Sequence, residues 1–280
     1  MNHKPTYAKL VSRHSLFTGL VLAAFLFMTG SVASAQNEQR TVFTEDNFHW
    51  QGTLKPGQTL EIINRNGEIE ASGASGEGAR VEGMRRDDGD DKDLFIEVVE
   101  SSDGVIICAV YAKDKIPGRC HHGGVRSESS TWHGHRAKLT FDVQVPRGVR
   151  FNAMTTNGGV RCRGLNSVVD AATTNGNIDV STSEWASAKT TNGGVNVSMG
   201  NAKWTGELEL ATTNGSVDVR LPASAEFEVN AATTNGGIHT DFPVTVQGSF
   251  SSKELSGKVG SAGRYLKVAT TNGGIDLRKS

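Results

Sequence analysis

The tetrapeptide Thr-Thr-Asn-Gly occurs six times in this chain, at residues 155–158, 173–176, 190–193, 212–215, 233–236 and 270–273. Successive asparagines are 18, 17, 22, 21 and 37 residues apart, the last interval close to two periods. A word repeated at near-constant spacing is the signature of stacked structural units. Each copy is followed by alternation of apolar and polar residues: Val160/Cys162, Ile178/Val180, Val195/Val197, Val217/Val219/Leu221, Ile238/Thr240 and Ile275/Leu277. Arg161, Asp179, Asn196, Asp218, His239 and Asp276 stand between them. The same beat precedes the word, as Phe151/Ala153, Leu208/Leu210, Phe227/Val229 and Leu266/Val268. Period two with one apolar face is a half-buried β-strand.

Carrying that parity into the word places its first Thr inward and its second outward. Asn and Gly tolerate the left-handed backbone region and can turn a corner between two strands. Each unit is therefore strand, Asn-Gly corner, strand and a looser return. Asn157, Asn175, Asn192, Asn214, Asn235 and Asn272 occupy these corners. Asn66, in Asn64-Arg65-Asn66-Gly67, reads as a worn copy, and Ser101-Ser102-Asp103-Gly104 as another. Two all-β architectures satisfy the pattern. One is an antiparallel β-hairpin meander, because Asn-Gly is also a hairpin turn. The other is a single-domain, β-helix-like β-solenoid with a corner about every 17–22 residues. The solenoid explains more: it stacks Asn on Asn, so that side-chain amides bond along a ladder. Small Ala171, Ala188, Ala211 and Ala231 suit a narrow interior.

Among 280 residues, 29 Lys and Arg balance 30 Asp and Glu, a net charge of −1, without the basic stripe of a nucleic-acid binder. Glycine is abundant at 33 and proline scarce at 6, a balance that fits frequent turns in a regular fold better than a disordered linker. Residues 1–35 carry Lys4, Lys9 and Arg13, an apolar run from Leu16 to Met28, and a small-residue ending, Ala33-Ser34-Ala35. These are the three parts of a secretory signal peptide, predicted to be cleaved after Ala35. No later segment has the length and apolarity of a membrane-spanning helix. The expected organisation is a signal peptide, 1–35, and one domain, 36–280, with an irregular capping half at 36–154 and regular repeats at 155–280.

These residues resemble a family of exported bacterial adhesin-like β-solenoid domains of unknown function. The shared features are Thr-x-Asn-Gly before an alternating strand, Cys108–Tyr111, Phe141–Val149 and Trp204-Thr205-Gly206. The resemblance runs from about Gly52 to the end of the sequence. It implies the solenoid fold and a periplasmic, extracellular or cell-surface location, and it brings no catalytic residues.

Candidate chemistry is sparse. Export favours disulfides. Cys162 takes the inward position held by valines in sister repeats, which leaves Cys108 and Cys120 as the expected pair. His121, His122, His133 and His135 lie in a polar insertion, 113–138, and are weak candidates for a metal such as zinc or copper, though their spacing matches no closed zinc pattern. Asp87, Asp88, Asp90, Asp91 and Asp93 offer oxygen ligands to calcium but lack the EF-hand arrangement, so a solvated loop is expected. Asp179, Asp218 and Asp276, with Trp185 and Trp204, give a polysaccharide-active enzyme its best case. A periodic carboxylate is equally what a solvated strand face looks like, and no G-x-S-x-G or H-E-x-x-H motif is present.

The sequence therefore predicts no enzyme and no cofactor. It predicts an exported interaction or structural protein whose partner is a surface, a glycan or an envelope protein. The polysaccharide-active enzyme is the alternative, and metal binding through the His-rich loop a weaker one. The C-terminal rung, ending at Arg278-Lys279-Ser280, is expected to be an open edge, and hence a route to weak self-association.

Overall fold

The computed structural model describes residues 38–44, 47–86, 94–113, 116–117, 119–126, 137–246, 251–261 and 263–280. They belong to one compact unit, Gln36–Ser280. The segment read as a signal peptide and the Asp-rich loop at 87–93 lie outside the described residues.

The chain is a β-solenoid of two-stranded rungs. In each rung a strand in one sheet leads through the Thr-Thr-Asn-Gly corner to a strand in a second sheet, and a return loop starts the next rung. The first sheet stacks Thr59–Ile63, Arg150–Met154, Val169–Ala172, Ala186–Lys189 and Glu207–Ala211 in parallel. The second stacks Ile69–Gly73, Val160–Leu165, Ile178–Thr182, Val195–Met199 and Val217–Leu221, again in parallel. There is no helix among the described residues, and none is long and apolar enough to cross a membrane.

Register explains why the alternation had to be so strict. Ile69, Val160, Ile178, Val195, Val217 and Ile275 form one inward column, and Ala71, Cys162, Val180, Val197, Val219 and Leu277 a second. All are buried against the inward faces of the first sheet, where Ala153, Ala171 and Ala188 keep the interior narrow. A slip of one residue would turn each apolar column to solvent.

The last rung departs from the expected order. Tyr265–Asn272 pairs with Glu207–Ala211 on one side and Phe227–Asn235 on the other. Ile275–Lys279 likewise lies between Val217–Leu221 and Ile238–Thr240. The rung of the sixth word is thus inserted between those of the fourth and fifth. The 37-residue interval is an excursion and return, and the expected open edge at the C-terminal rung is absent because both its strands are paired on both sides. The stack instead finishes at the Asn235 rung. There Glu254–Val259 adds an antiparallel strand, and Phe242 closes the core, with its ring 5.3 Å from that of Phe227.

The opposite end is built by antiparallel strands. Gly104–Lys113 continues the first sheet in parallel beyond Thr59–Ile63. Leu94–Ser101 and Gln39–Phe43 then add antiparallel strands. In the second sheet Lys138–Val145 runs parallel to Ile69–Gly73, and Gly78–Arg86 and Asn47–Thr53 complete it in antiparallel fashion. Phe43 and Phe48 meet edge to face, 5.1 Å apart, over this end of the core. The Ser101–Gly104 segment is a tight connection into the first sheet, so it is not a worn corner as its sequence suggested.

Candidate functional site

The corner residues form an unbroken ladder. The Nδ2 of Asn157 donates to Oδ1 of Asn66, and the same bond links Asn175 to Asn157, Asn192 to Asn175 and Asn214 to Asn192, each at 2.8 Å. Asn272 donates to Asn214 at 2.7 Å and Asn235 to Asn272 at 2.8 Å. Every amide points the same way along the stack. A second ladder runs beneath it. The buried hydroxyls of Thr155, Thr173, Thr190, Thr212, Thr270 and Thr233 donate to the carbonyls of Gly67, Gly158, Gly176, Gly193, Gly215 and Gly273. In the Asn66 rung Asn64 stands where the inward Thr stands elsewhere, and its Nδ2 donates to the carbonyls of Gly67 and Leu139.

The glycine of the word has its own reason. A Cβ on Gly193 would lie 2.0 Å from the Gly176 carbonyl oxygen, and one on Gly273 2.0 Å from that of Gly215. Rungs therefore stack glycine on glycine, too closely for any side chain. Three of the four residues of the word are thus accounted for within the scaffold, and the second Thr faces outward.

The outer face of the second sheet carries the polar residues between the apolar ones, in register across the strands. One cross-strand row reads Glu70, Arg161, Asp179, Asn196, Asp218 and Asp276. Arg161 pairs with Glu70 at 2.8 Å, Asn196 donates to Asp179 at 2.9 Å, and Arg278 bridges Asp218 and Asp276. Beyond Glu70, Asp142 adjoins both Glu70 and Glu82. Its carboxyl is pushed above the usual aspartate range by partial burial and then by those two charges. On the first sheet, Glu209 is held below the usual glutamate range by bonds to Lys189 and Lys267. Trp204 is fully buried, donating to the carbonyl of Tyr265. Trp185 is partly exposed at a return, with the Arg150 guanidinium 5.9 Å over its ring. Of the two tryptophans read as sugar-stacking candidates, only Trp185 reaches the surface.

The described part of the polar insertion includes a hairpin, Arg119–His121 with Gly124–Arg126, which lies against Glu61 and Glu97 of the first sheet. Cys120 is bonded to Cys108. Around that bridge Ile63, Val99, Ile106 and Val110 make a second apolar cluster outside the main core. Two carboxylates are buried beneath the hairpin. Glu97, 5% exposed, accepts from the Cys120 amide at 2.6 Å and from Arg40 at 3.0 Å. Glu61, 1% exposed, accepts from the Gly123 amide at 2.9 Å and meets His122 Nδ1 at 2.5 Å. Sequence reasoning missed both. Strand parity turns them outward, and only a cover made by distant residues buries them.

His121 directs its Nδ1 to the His122 carbonyl, so the two adjacent imidazoles are engaged with different partners. His133 and His135 lie outside the described residues. Among the described residues no group of three or more His, Cys, Asp or Glu is arranged to hold a metal ion. Cys162 is the free thiol and is buried. Desolvation pushes its pKa up to about 12.

The family model described as Toastrack DUF4097 matches residues 124–278. No curated protein matches the chain. Among solved structures, a "putative cell adhesion protein" from Clostridium sporogenes is similar at 11% identity and a TM-score of 0.47, over 84% of this chain and all of that one. A "putative adhesin" from Bacteroides fragilis is similar at 9% identity and a TM-score of 0.36, over 82% of this chain and 96% of that one.

Proposed function

We propose, for a chain that belongs to the Toastrack DUF4097 family, a non-catalytic role as an exported interaction protein of the bacterial cell envelope, binding through the outer surface of its solenoid. One observation carries this reading. The repeated inward Thr, Asn and Gly are each engaged by the equivalent residue or backbone of the next rung. The repetition is thereby explained by architecture, and what varies from rung to rung is the outward polar residue. A rigid frame with a variable exterior suits recognition, as in other repeat proteins. The sequence resemblance to exported adhesin-like domains, together with the basic-apolar-small pattern of residues 1–35, supports delivery to the periplasm or cell surface.

The partner is a surface, a glycan or an envelope protein. A pull-down from bacterial and host-cell surfaces, run beside a glycan array with the purified full-length protein, tests the reading. Saturable binding that survives heating to just below the melting temperature, and is lost above it, is the expected result. Turnover of a polysaccharide that disappears on Asp179→Asn or Asp218→Asn would replace it with a catalytic role.

A further inference from the structure

We infer that a depression on the outer face of the second sheet, about 530 Å³ in volume, is a binding site for an acidic saccharide carrying a carboxylate on one ring and free hydroxyls on its neighbour. The inference rests on the interaction-protein reading and names its ligand class.

One irregularity lies in its wall. Between Cys162 and Leu165 the register with the Ile178–Thr182 strand shifts. Gly164 there adopts φ +59, a left-handed conformation in open space. The extra residue is a β-bulge, and bulges re-aim the side chains they carry. The side chain it carries here is Arg163. It is exposed and has no hydrogen bond or ion pair among the described residues.

Next to it, Ser181, Ser198 and Arg220 form a cross-strand row. The hydroxyls of both serines are likewise without a side-chain partner. Two guanidiniums thus flank a floor of two short residues, on strands three spacings apart, or roughly 14 Å. The adjoining row, Asp179, Asn196 and Asp218, adds carboxylate and amide oxygens. Asp179 has one of its oxygens bonded to Asn196.

The chemistry of this set is selective. The unpaired guanidinium of Arg163, and the Nη side of Arg220, whose Nε lies 3.5 Å from Asp218 Oδ1, each present a planar fork that fits a carboxylate. Serine hydroxyls and the second oxygen of Asp179 exchange hydrogen bonds with sugar hydroxyls, while Asp218 is held between Arg220 and Arg278. Asp179 and Asp218 alternate with Arg161, Arg163 and Arg220 in the lining, so negative charge is accepted only at separated points. The ligand favoured is therefore one whose negative charges are separated by neutral, hydroxyl-bearing rings.

Titration of the purified protein with a tetrasaccharide of alternating glucuronate and N-acetylglucosamine provides the test. Chitotetraose is the neutral control and a heparin-derived tetrasaccharide the densely charged one. Binding is expected to the first, weakening with added salt, and to neither control. Arg163→Ala and Arg220→Ala should each weaken it roughly tenfold, the loss of one charge-assisted contact. Ser198→Trp should fill the floor and abolish it, and Arg147→Ala, on the return side, should leave it unchanged. Melting curves for each variant separate lost contacts from lost folding. Equal binding of chitotetraose or of the heparin tetrasaccharide, absence of binding to the glucuronate ligand, or equal losses from Arg147→Ala and Arg163→Ala would each overturn the site. If the surface pull-down still succeeds with Arg163→Ala and Arg220→Ala, this site fails and the interaction role stands. If the wild-type protein captures nothing in either assay, both fail.

Discussion

The stack from Asn157 to Asn272 and the cap from Glu38 to Val145 reach the same packed state by different means. In the stack, each side chain's partner is its own counterpart one rung away: Asn192 bonds Asn175, Thr190 reaches Gly176, and Val197 covers Val180. A single favourable contact is repeated, and every rung needs the same residues. In the cap, apart from the Asn66 rung that joins the ladder, partners are unlike and used once. Cys108 bonds Cys120, Arg40 meets Glu97, and Glu61 meets His122. Repetition makes a structure whose tolerances are set by backbone spacing, whereas the cap depends on individual side-chain pairs. A fault in the stack should therefore cost the whole column, and a fault in the cap should stay local.

The sharpest test of that difference is Gly193→Ala. Its methyl would collide with the Gly176 carbonyl 2.0 Å away, and backbone has no rotamer to yield. We expect a loss of about 3 kcal/mol or more in chemical denaturation. Gly57, at φ +91 in the cap with nothing near its would-be Cβ, should cost only about 1 kcal/mol as Ala, from backbone strain alone. Equal effects at the two sites would break the distinction.

Removing the disulfide by Cys108→Ser with Cys120→Ser should cost about 3 kcal/mol, given the short loop it closes. Limited proteolysis should then cut within 113–137 while the repeats stay protected. Cleavage spread evenly through 155–280 would show that the cap and stack are not separable in this way.

Thr190→Val keeps shape and β-propensity but strands the Gly176 carbonyl. A loss of about 1–2 kcal/mol is expected, largely recovered in Thr190→Ser.

The smallest effect is at Cys162. Burial raises its folded pKa to about 12, above the ordinary thiol value of 9.0. The neutral thiol is the form the core accepts. Its contribution is therefore complete below about pH 9 and declines as pH rises from there towards 12. Cys162→Val, which matches Val180 and Val197 in the same column, should change stability by less than about 1 kcal/mol at neutral pH and flatten that alkaline slope.

Much of the stack was legible in the sequence because its rules are local. Alternation fixed the inward columns, and the invariant word located the inward Thr and the amide ladder. The part that was not legible depends on neighbours in space. Gly in the word reads as a turn residue, yet its necessity comes from the carbonyl of the adjacent rung. Arg161-Cys162-Arg163-Gly164 reads as continuing alternation, and nothing local announces that the register is interrupted beside Arg163. Glu61 and Glu97 alternate outward as expected, but their burial is imposed by a hairpin more than 20 residues away in sequence from either. Six equivalent words also cannot encode their own order, so the position of the Asn272 rung was open until the strands were seen paired.

That position has a kinetic consequence. A solenoid whose rungs follow chain order can grow from any seed by adding the next neighbour. Here the strands of Val217–Leu221 and Ile238–Thr240 acquire their shared partner only from residues 275–279. Propagation must halt at the fourth word, and the intervening excursion must wait or dock transiently in the wrong place. Long-range closure of this kind slows folding. A slow final phase, absent from a variant reordered so that the 264–280 rung follows residue 221 directly, would be its trace.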